Sequence, residues 1–570
     1  MRESEVAIAG SGVISAAGNG TAALLTALQN NTSHLRPNDR FTGPRFQSNI
    51  VGSATIESSD NPAHQLTSIA LRVDGLSAFF LAWSLPMTLL GTIYAFGYLQ
   101  RHFATGRNGG PHFALLNMIA TSFVLVYGVQ NALVFLLGWE IAAVAAWLLV
   151  IWDYRSQKIR FAGFNYLVST HVGLFVLVAA FMLLHSKTGS MDFAEFGKYL
   201  SSAAPRGQGT LFLLLGIAFA LKSAFFPFHT WLPRAHSAAP AHVSALMSGV
   251  IHKAGLFGFV RFALLAGRPE PWMGWSVLLV GAISAVFGVL YTSVQRDLKR
   301  LLGYSSTENV GIAAMAFGIG LLGWAWSNPA LATLGFGAGL LHVINHALFK
   351  CALFYAAGAI YRAVHTVDLE RLGGLARRLP RTALVFGLAG LAMCGLPPFN
   401  GFMSEFLLYT GLLSGPAPSG EADVVLVCAA ALLAFVGAVA ALSMARAFGL
   451  AFLGAPRDPA LPPGEEAPRE MLAPMAVHLA GVVVFGVYPT VALWLINPVL
   501  ALFPGGLARA LELGDVLAPV TWACRAFAAV LAISAVIAAR RGAARTSATW
   551  GCGYVAGTAR MQYTGSSFSA

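Results

Sequence analysis

The chain has 570 residues, of which 56% are hydrophobic and 11% are charged, and its mean hydropathy is +0.67. This apolar content exceeds what a soluble core needs and is typical of a polytopic membrane protein. The net charge is +12, but the basic residues are dispersed among short loops between apolar runs, which favours a membrane setting and excludes a nucleic-acid partner.

The five cysteines stand singly, without the CxxC pairs or cluster spacings that bind zinc or iron–sulfur centres. We therefore expect no metal and no cofactor in this chain, and any associated redox chemistry would belong to partner subunits. The cysteines are Cys351, Cys394, Cys428, Cys524 and Cys552.

Residues 1–60 differ from the rest of the chain. The stretch MRESEVAIAGSGVISAAGNGTAALLTALQNN has the apolar-then-glycine pattern of an opening strand, turn and helix in a soluble α/β domain. It resembles the start of a β-ketoacyl synthase, but that family's Cys-His-His motif does not follow, so we expect the segment to be catalytically empty. It also lacks the apolar core of a secretory signal. We interpret it as an aberrant gene start.

Apolar runs of about 20 residues predict membrane-spanning helices. The chain contains thirteen candidates, so we predict an all-α polytopic membrane protein with about 13 transmembrane helices. They lie near 76–99, 112–128, 129–152, 161–184, 209–232, 239–265, 274–295, 301–323, 330–363, 382–413, 424–453, 471–496 and 516–539.

Lysine and arginine are unequally divided between alternate loops. One set of loops, together with the tail from Arg540, carries 20 of these residues, and the intervening loops carry 5. The positive-inside rule therefore predicts that the first set and the C-terminus are cytoplasmic. It also places the segment before the first span on the outer face, which again favours an aberrant start. The first set comprises 100–111, 153–160, 233–238, 296–300, 364–381 with Arg362, and 454–470.

Two lysines, Lys222 and Lys253, stand near the middle of long apolar runs. An ammonium group at the bilayer centre costs ~2.5–3.5 kcal/mol on insertion scales, so such a residue normally faces a bundle interior and pairs or transfers a proton. Pro227 follows Lys222 by five residues and predicts a helix break beside a hydrated pocket. Snorkelling requires a charge near a helix end, which we expect for Arg261 and Arg446 instead.

The segment PFHTWLPRAHSAAPAHVSALMSGVIHKAG resembles the antiporter-like membrane subunits shared by complex I, Mrp-type cation/proton antiporters and group 4 membrane-bound hydrogenases. The segment AHSAAPAHVSALMSG and the tail TWGCGYVAGTARMQYTGSSFSA are most similar to the large membrane subunits of hydrogenase-4 and formate hydrogenlyase. The resemblance covers about residues 66–570. Because LTSIALRVDGLSAFF at 66–80 resembles the entry to the family's third helix, we expect the first two family helices to be missing.

Glu140 lies midway along the apolar run NALVFLLGWEIAAVAAWLLVIW, where a carboxylate needs a positive partner or a neutral form. The resemblance implies that this glutamate pairs with the lysine of the broken helix, which is Lys222. A purely stabilising buried ion pair is the alternative, but such pairs seldom gain more than their desolvation costs.

His342, His346 and Lys350 fall at i, i+4 and i+8 in LLHVINHALFKCALFY, on one helical face. Histidine titrates near neutral pH, and a desolvated lysine also exchanges protons readily, so this stripe suggests a proton relay. A lone buried histidine would more often be a core residue. The triple spacing and the resemblance to the family's histidine-containing central helix favour the relay.

A second broken helix is predicted where Pro397 and Pro398 interrupt TALVFGLAGLAMCGLPPFNGFMSEFLLYTGLL. Glu405 follows this break, and the resemblance implies that it is the terminal proton-transfer group. Glu308 in QRDLKRLLGYSSTENVGI and His229 in PFHTW are secondary candidates.

The two breaks predict two inverted repeats, as in many transporters. The expected organisation is a non-membrane segment at 1–65, an entry helix at 66–111, repeats at 112–265 and 274–453, C-terminal helices at 454–540 and a cytoplasmic tail at 541–570.

The resemblance implies a proton-translocating subunit of the bacterial inner membrane, in a complex like a group 4 [NiFe]-hydrogenase or formate hydrogenlyase. Expected partners are other membrane subunits and peripheral hydrogenase-like and iron–sulfur subunits. The proposed route runs from Glu140 and Lys222 through Lys253 and the histidine stripe to Glu405. Alternatives are sodium/proton exchange of the Mrp or complex I type, a non-pumping membrane anchor, and a condensing enzyme, which fails for want of an active site.

Overall fold

A computed structural model describes residues 71–540 except 203–204, 415–418 and 504–510, together with residues 562–564 and five short strands before Leu71. Three strands form an antiparallel sheet and two form an antiparallel pair. The ketosynthase-like interpretation of residues 1–60 otherwise falls outside the described residues. The strands are β1 (Ala7–Ala9), β2 (Gly12–Ser15), β3 (Gly18–Asn19), β4 (Arg36–Pro37) and β5 (Ile50–Val51).

The described part of the chain from Leu71 onward is built of α-helices, and side-chain caps define several of their starts. Asp74, Asn131, Asp297 and Asn328 each accept a hydrogen bond from a backbone N–H of the first turn. The helices are α1 (Gly75–Ala104), α2 (Gly110–Gly128), α3 (Ala132–Val150), α4 (Gln157–Thr188), α5 (Phe193–Ser202), α6 (Pro205–Ser223), α7 (Trp231–Ala238), α8 (Ala241–Leu246), α9 (Lys253–Ala266), α10 (Pro271–Ser293), α11 (Leu298–Ala325), α12 (Pro329–Val364), α13 (Pro380–Met393), α14 (Asn400–Ser414), α15 (Gly420–Phe452), α16 (Arg469–Val487), α17 (Thr490–Leu500) and α18 (Leu513–Arg540).

Twelve stretches of the described residues are long and apolar enough to cross a membrane. The all-α polytopic class is thus confirmed, with one span fewer than the thirteen expected. The difference lies at 382–413, where the chain forms two short helices, α13 and α14, instead of one long one. The run at 471–496 is also divided, into α16 and α17.

Both predicted helix breaks are present. Helix α6 ends at Ser223, and Ala224 takes a left-handed conformation with φ of 58° before the chain resumes as a 3-10 turn at Phe228–Thr230 and then as α7. Helix α13 ends at Met393, and the chain resumes at Asn400. A proline that lacks the N–H of a helix interior accounts for each interruption. The inverted repeat itself stays a prediction.

A third irregularity lies between α8 and α9, where Met247–Ile251 form a π-helical turn. The N–H of His252 accordingly bonds to the carbonyl of Met247, five residues back. Such a turn adds one residue to the helix and leaves a carbonyl without its usual backbone partner.

The interior of the protein is formed by α11 and α12, whose most apolar windows are entirely buried. Small residues let α10 approach α11 closely: a Cβ at Gly288 would collide with the backbone nitrogen of Glu308. By contrast, only 6% of the corresponding window of α18 is buried. Near the chain end, Gln562 accepts a hydrogen bond from the N–H of Ala455, so this part of the tail contacts the 454–470 loop.

Two arginines that we expected to snorkel are instead buried and bonded. Arg261 donates to both carboxylate oxygens of Asp74 and to the hydroxyl of Ser77, and it is 7% exposed. Arg446 donates to the carbonyl of Gln295 and is 4% exposed. The prediction was wrong because residues at the start of α1 and in the loop after α10, which no single-helix pattern reveals, supply acceptors before the side chains reach the surface.

Candidate functional site

The ionisable residues picked out in the spans lie in the protein interior. Six of them are between 0 and 3% exposed; His229 is 6% exposed, Glu405 is 9% exposed, and the side chain of Glu140 is 27% exposed. Because charged groups are costly there, each needs a partner or a function. The fully buried residues are Lys222, Lys253, Glu308, His342, His346 and Lys350.

Lys222 lies in the last turn of α6, at the first break, with its Nζ 4.8 Å from the ring centroid of Trp139. Its Nζ has no hydrogen-bond partner. No direct ion pair joins it to Glu140, the expected partner, but Glu140 lies within electrostatic range of the lysine. Glu140 instead places Oε1 at 3.2 Å from Nε2 of His171 on α4.

The geometry of helix α3 explains this correction. Successive residues of an α-helix project about 100° apart. The face that presents Trp139 to Lys222 therefore turns Glu140 toward α4. The second carboxylate oxygen of Glu140 is buried without a hydrogen-bond partner.

Lys253 begins α9, one residue beyond the end of the π-helical turn at Ile251. Its Nζ donates to the carbonyl of Ser248 at 2.5 Å, and that carbonyl lies within the turn. The backbone of the turn thus supplies the lysine with a neutral acceptor. The Ser248 hydroxyl lies 2.8 Å from that of Ser306 on α11.

His252, next to Lys253, was not singled out from the sequence. Its Nδ1 lies 2.7 Å from the carbonyl of Met247, and because a carbonyl only accepts, Nδ1 carries the hydrogen. Nε2 is then a bare acceptor, buried and without a partner. The ring centroid is 5.8 Å from that of His346. The only feature of the sequence that could have indicated His252 is its position next to Lys253 in IHKAG.

Two residues of the predicted stripe on α12, His342 and His346, lie together as expected from their spacing. The rings of His342 and His346 are nearly parallel, with centroids 6.4 Å apart. The Ser404 hydroxyl donates to the carbonyl of Gly401, so Nδ1 of His342 donates to that hydroxyl at 3.0 Å. Nε2 of His342 is then a bare acceptor, and Nε2 of His346 also has no partner.

Lys350, the third residue of the stripe, reaches away from the histidines toward the second break. Its Nζ donates to the hydroxyl of Ser305 and to the carbonyl of Leu302 on α11, and it lies 3.2 Å from Sδ of Met393, the last residue of α13. All these partners are neutral, so no direct contact fixes the charge of the lysine.

Glu308 and Glu405 complete this group at the second break. Glu308 lies within electrostatic range of both Lys350 and Glu405, and its Oε2 is buried without a partner. Glu405 packs its carboxylate over Gly395, where φ is +62° and a Cβ would lie 2.5 Å from Oε2. The glycine is required both by its backbone conformation and by the carboxylate.

His229 lies among aromatic rings, with centroid distances of 5.4 Å to Phe226, 5.9 Å to Tyr304 and 6.0 Å to Tyr291. None of its described contacts joins it to the other ionisable residues. His236 was missed from the sequence: it is fully buried, stacks on Phe354 at 4.5 Å, and has no partner for either ring nitrogen.

Among the described residues, no three histidine, cysteine or acidic side chains cluster closely enough to hold a metal ion. The arrangement is instead a series of buried ionisable side chains, several of which have an unpartnered nitrogen or oxygen atom. Their free ring nitrogens and carboxylate oxygens can accept a proton without breaking an existing hydrogen bond.

Residues 129–433 match the model of a family described as NADH:quinone oxidoreductase/Mrp antiporter, TM. Hydrogenase-4 component B from Escherichia coli strain K12 is 36% identical over 423 residues, which cover 74% of this chain and 62% of that protein. Formate hydrogenlyase subunit 3 from the same strain is 32% identical over 421 residues, which cover 73% of this chain and 66% of that protein. The chain thus spans less than two thirds of the length of either relative. The resemblance to the antiporter-like membrane subunits that we found in the sequence is confirmed.

Among solved structures, a chain of the membrane-bound sulfane sulfur reductase, an archaeal respiratory membrane complex, aligns with a TM-score of 0.68 at 23% identity. The alignment covers 86% of this chain and 78% of that one. At this identity the likeness shows a shared fold.

Proposed function

Because the chain belongs to the NADH:quinone oxidoreductase/Mrp antiporter transmembrane family, we propose that it conducts protons across the inner membrane as a subunit of a respiratory complex. The complex would be of the group 4 [NiFe]-hydrogenase or formate hydrogenlyase type. Electron transfer would take place in peripheral hydrogenase-like and iron–sulfur subunits, and other membrane subunits would complete the complex.

The observation that carries this proposal is the series of buried ionisable side chains with unused proton acceptors. Buried charges of this kind lower stability unless they are well paired. Here Lys222, Lys253 and Lys350 make direct contacts only with neutral groups or a ring face, although Glu140 and Glu308 lie within electrostatic range of Lys222 and Lys350. A purely structural role gives no reason to retain three such lysines between the two helix breaks.

The proposed route has two halves joined at the centre. Lys222 lies at the end of α6, and the hydroxyl of the adjacent Ser223 donates to the carbonyl of His252 at 3.1 Å. His252 and Lys253 then lead to His346 and His342, while Lys350 and Glu308 lead to Glu405. Protons would move when a charge at one site changes the proton affinity of its neighbour, as charges near an ionisable group generally do.

The test is proton uptake by inverted vesicles that contain the complex, with Lys253→Met compared with the wild type. Methionine keeps the apolar volume of the lysine and removes its charge. Uptake driven by electron transfer should be lost, while a native gel shows the complex assembled. Lys198→Met is the matched control, because this lysine is 72% exposed and pairs only with Glu195.

Wild-type uptake by an assembled Lys253→Met complex would contradict the proposal. Uptake that requires sodium would point to sodium/proton exchange of the Mrp type. Electron transfer with no ion movement in the wild type would reduce the chain to a membrane anchor.

A further inference from the structure

A second pair of histidines lies apart from the proposed route. Nε2 of His112 and Nε2 of His242 are 2.6 Å apart, and both side chains are fully buried. At this distance one nitrogen must donate and the other accept. In a neutral pair, one ring then carries its hydrogen on Nε2 and the other on Nδ1. Neither Nδ1 has a hydrogen-bond partner.

One aromatic ring separates this pair from the surface of the protein. His112 lies in the first turn of α2, with its ring edge-on to Trp152 at a centroid distance of 4.5 Å. The guanidinium of Arg107 lies 4.2 Å from the ring centroid of Trp152. The same guanidinium forms a 2.7 Å ion pair with Asp153. That ion pair is solvent-exposed. The loops at 100–111 and 153–160 are among those that the charge count places in the cytoplasm.

On its inner side the pair faces the buried lysines through the junction of α7 and α8. Lys299 donates to the carbonyls of Ala239 and Ser237 in this junction. It lies within electrostatic range of both His242 and His236, and His236 is in turn within range of Lys253. Ionisable groups thus continue from the pair to the start of α9.

We propose that the His112–His242 pair is the cytoplasmic proton-entry site for the buried series, an inference that rests on the proposed function. A proton from cytoplasmic water binds Nδ1 of His112, and His112 passes its Nε2 proton to Nε2 of His242. His242 then releases its Nδ1 proton toward Lys299 and His236. One proton enters, one leaves, and the two rings have exchanged tautomers.

The free nitrogens of the pair suit it to this transfer. Each ring keeps only one hydrogen bond, the one shared with its partner, because both Nδ1 atoms lack partners. Each Nδ1 can therefore bind or release a proton without breaking an existing hydrogen bond. A histidine held at both nitrogens, as in a typical structural network, would have no nitrogen free for this step.

The experiment is chemical rescue. His112→Ala and His242→Ala remove the pair and leave space for an imidazole. Each variant complex, in inverted vesicles with the cytoplasmic face outward, should take up protons about 100-fold more slowly, the lower end of what a positioned proton-transfer group contributes. Imidazole added outside should restore uptake in these variants. His112→Phe fills the space and should not be rescued.

The matched control is His478→Ala. His478 is as deeply buried, with Nδ1 bonded to the carbonyl of Pro474 and Nε2 unpartnered, but it lies on α16 away from the pair. It should translocate protons normally. Full uptake by His112→Ala or His242→Ala, or a loss that imidazole does not reverse in an assembled complex, would overturn the entry site. Absence of uptake in the wild type would instead overturn the proposed function.

Discussion

The ammonium group of Lys222 lies 4.8 Å from the ring centroid of Trp139 and forms no ion pair. A cation–π contact contributes about 0.5–2 kcal/mol, much less than a buried carboxylate would. The lysine can therefore lose its proton without breaking a direct ion pair. Glu140, the expected partner, stays within electrostatic range of Lys222 but places its Oε1 near His171.

We expect Lys222→Met to abolish proton translocation while leaving the complex assembled. Removing the charge breaks the contact with Trp139 and takes a positive neighbour from Glu140, which lies within electrostatic range, but it breaks no direct ion pair. The measurement is protons taken up per electron pair in inverted vesicles, with assembly checked on a native gel. Lys222→Arg keeps the charge but cannot release its proton at working pH. If the Lys222→Arg complex translocates protons, Lys222 acts only as a fixed charge.

We expect His346→Ala to lower proton transfer more than His342→Ala. The ring of His346 lies between those of His252 and His342, at 5.8 Å and 6.4 Å, so its loss opens a gap in the series. His342 also stabilises the interior through Ser404, and its removal should lower thermal stability as well. Uptake rates and thermal unfolding of both variants distinguish these effects. Wild-type uptake by both would leave the stripe as core packing.

We expect Gly395→Ala to reduce translocation by displacing Glu405. An alanine there must adopt a φ of +62°, and its Cβ would press on the Glu405 carboxylate. Gly189→Ala is the matched control, because Gly189 has φ of +68° and open space around its Cβ position. The backbone cost, about 1–2 kcal/mol, should be the same in both. Equal translocation by the two variants would show that the position of Glu405 does not matter.

We expect Asp74→Asn to destabilise the protein by about 3–5 kcal/mol, because it leaves Arg261 buried without a counter-ion. Burial raises the pKa of Asp74, but hydrogen bonds and charge from Arg261 outweigh it, and the net pKa is lowered from 3.8. The pair therefore stabilises the fold fully above the ordinary carboxyl pKa, and this contribution is lost as the pH falls through the lowered value. Thermal unfolding of the purified protein in detergent between pH 7 and acid pH measures both effects.

In this pH series Asp153→Asn serves as the control. Asp153 pairs with Arg107 at the surface, with 51% of its side chain exposed, and such pairs contribute about 0–1 kcal/mol. An Asp74→Asn protein as stable as this control would mean that Arg261 finds another acceptor.

Features that depend on a single helix were predictable from the sequence. Proline chemistry located both breaks, and the i, i+4 spacing placed His342 and His346 on one face of α12. The partners of charged groups were not predictable in the same way. Whether Glu140 meets Lys222 or His171 depends on the rotation of α3 relative to two neighbouring helices, which the pattern of one helix does not encode.

The residues that the sequence did not reveal share a second cause. His252 and His236 stand in stretches without periodic polar spacing, and a single buried histidine is usually a core residue. The π-helical turn that orients His252 contains no proline and no pair of glycines that would indicate an irregular helix. Its one glycine, Gly249, packs against Cys351. Only the three-dimensional packing shows which of these histidines keep a free nitrogen.

The π-helical turn at Met247–Ile251 also makes the placement of Lys253 a matter of chain length. Its acceptor is a backbone carbonyl, so no side-chain substitution at Ser248 removes it. Deleting one residue from the turn would restore a regular helix and remove the wide turn whose Ser248 carbonyl accepts from Lys253. Lys253 would then lose the acceptor that the turn supplies. The environment of this lysine therefore depends on the number of residues in the turn rather than on which side chains they carry.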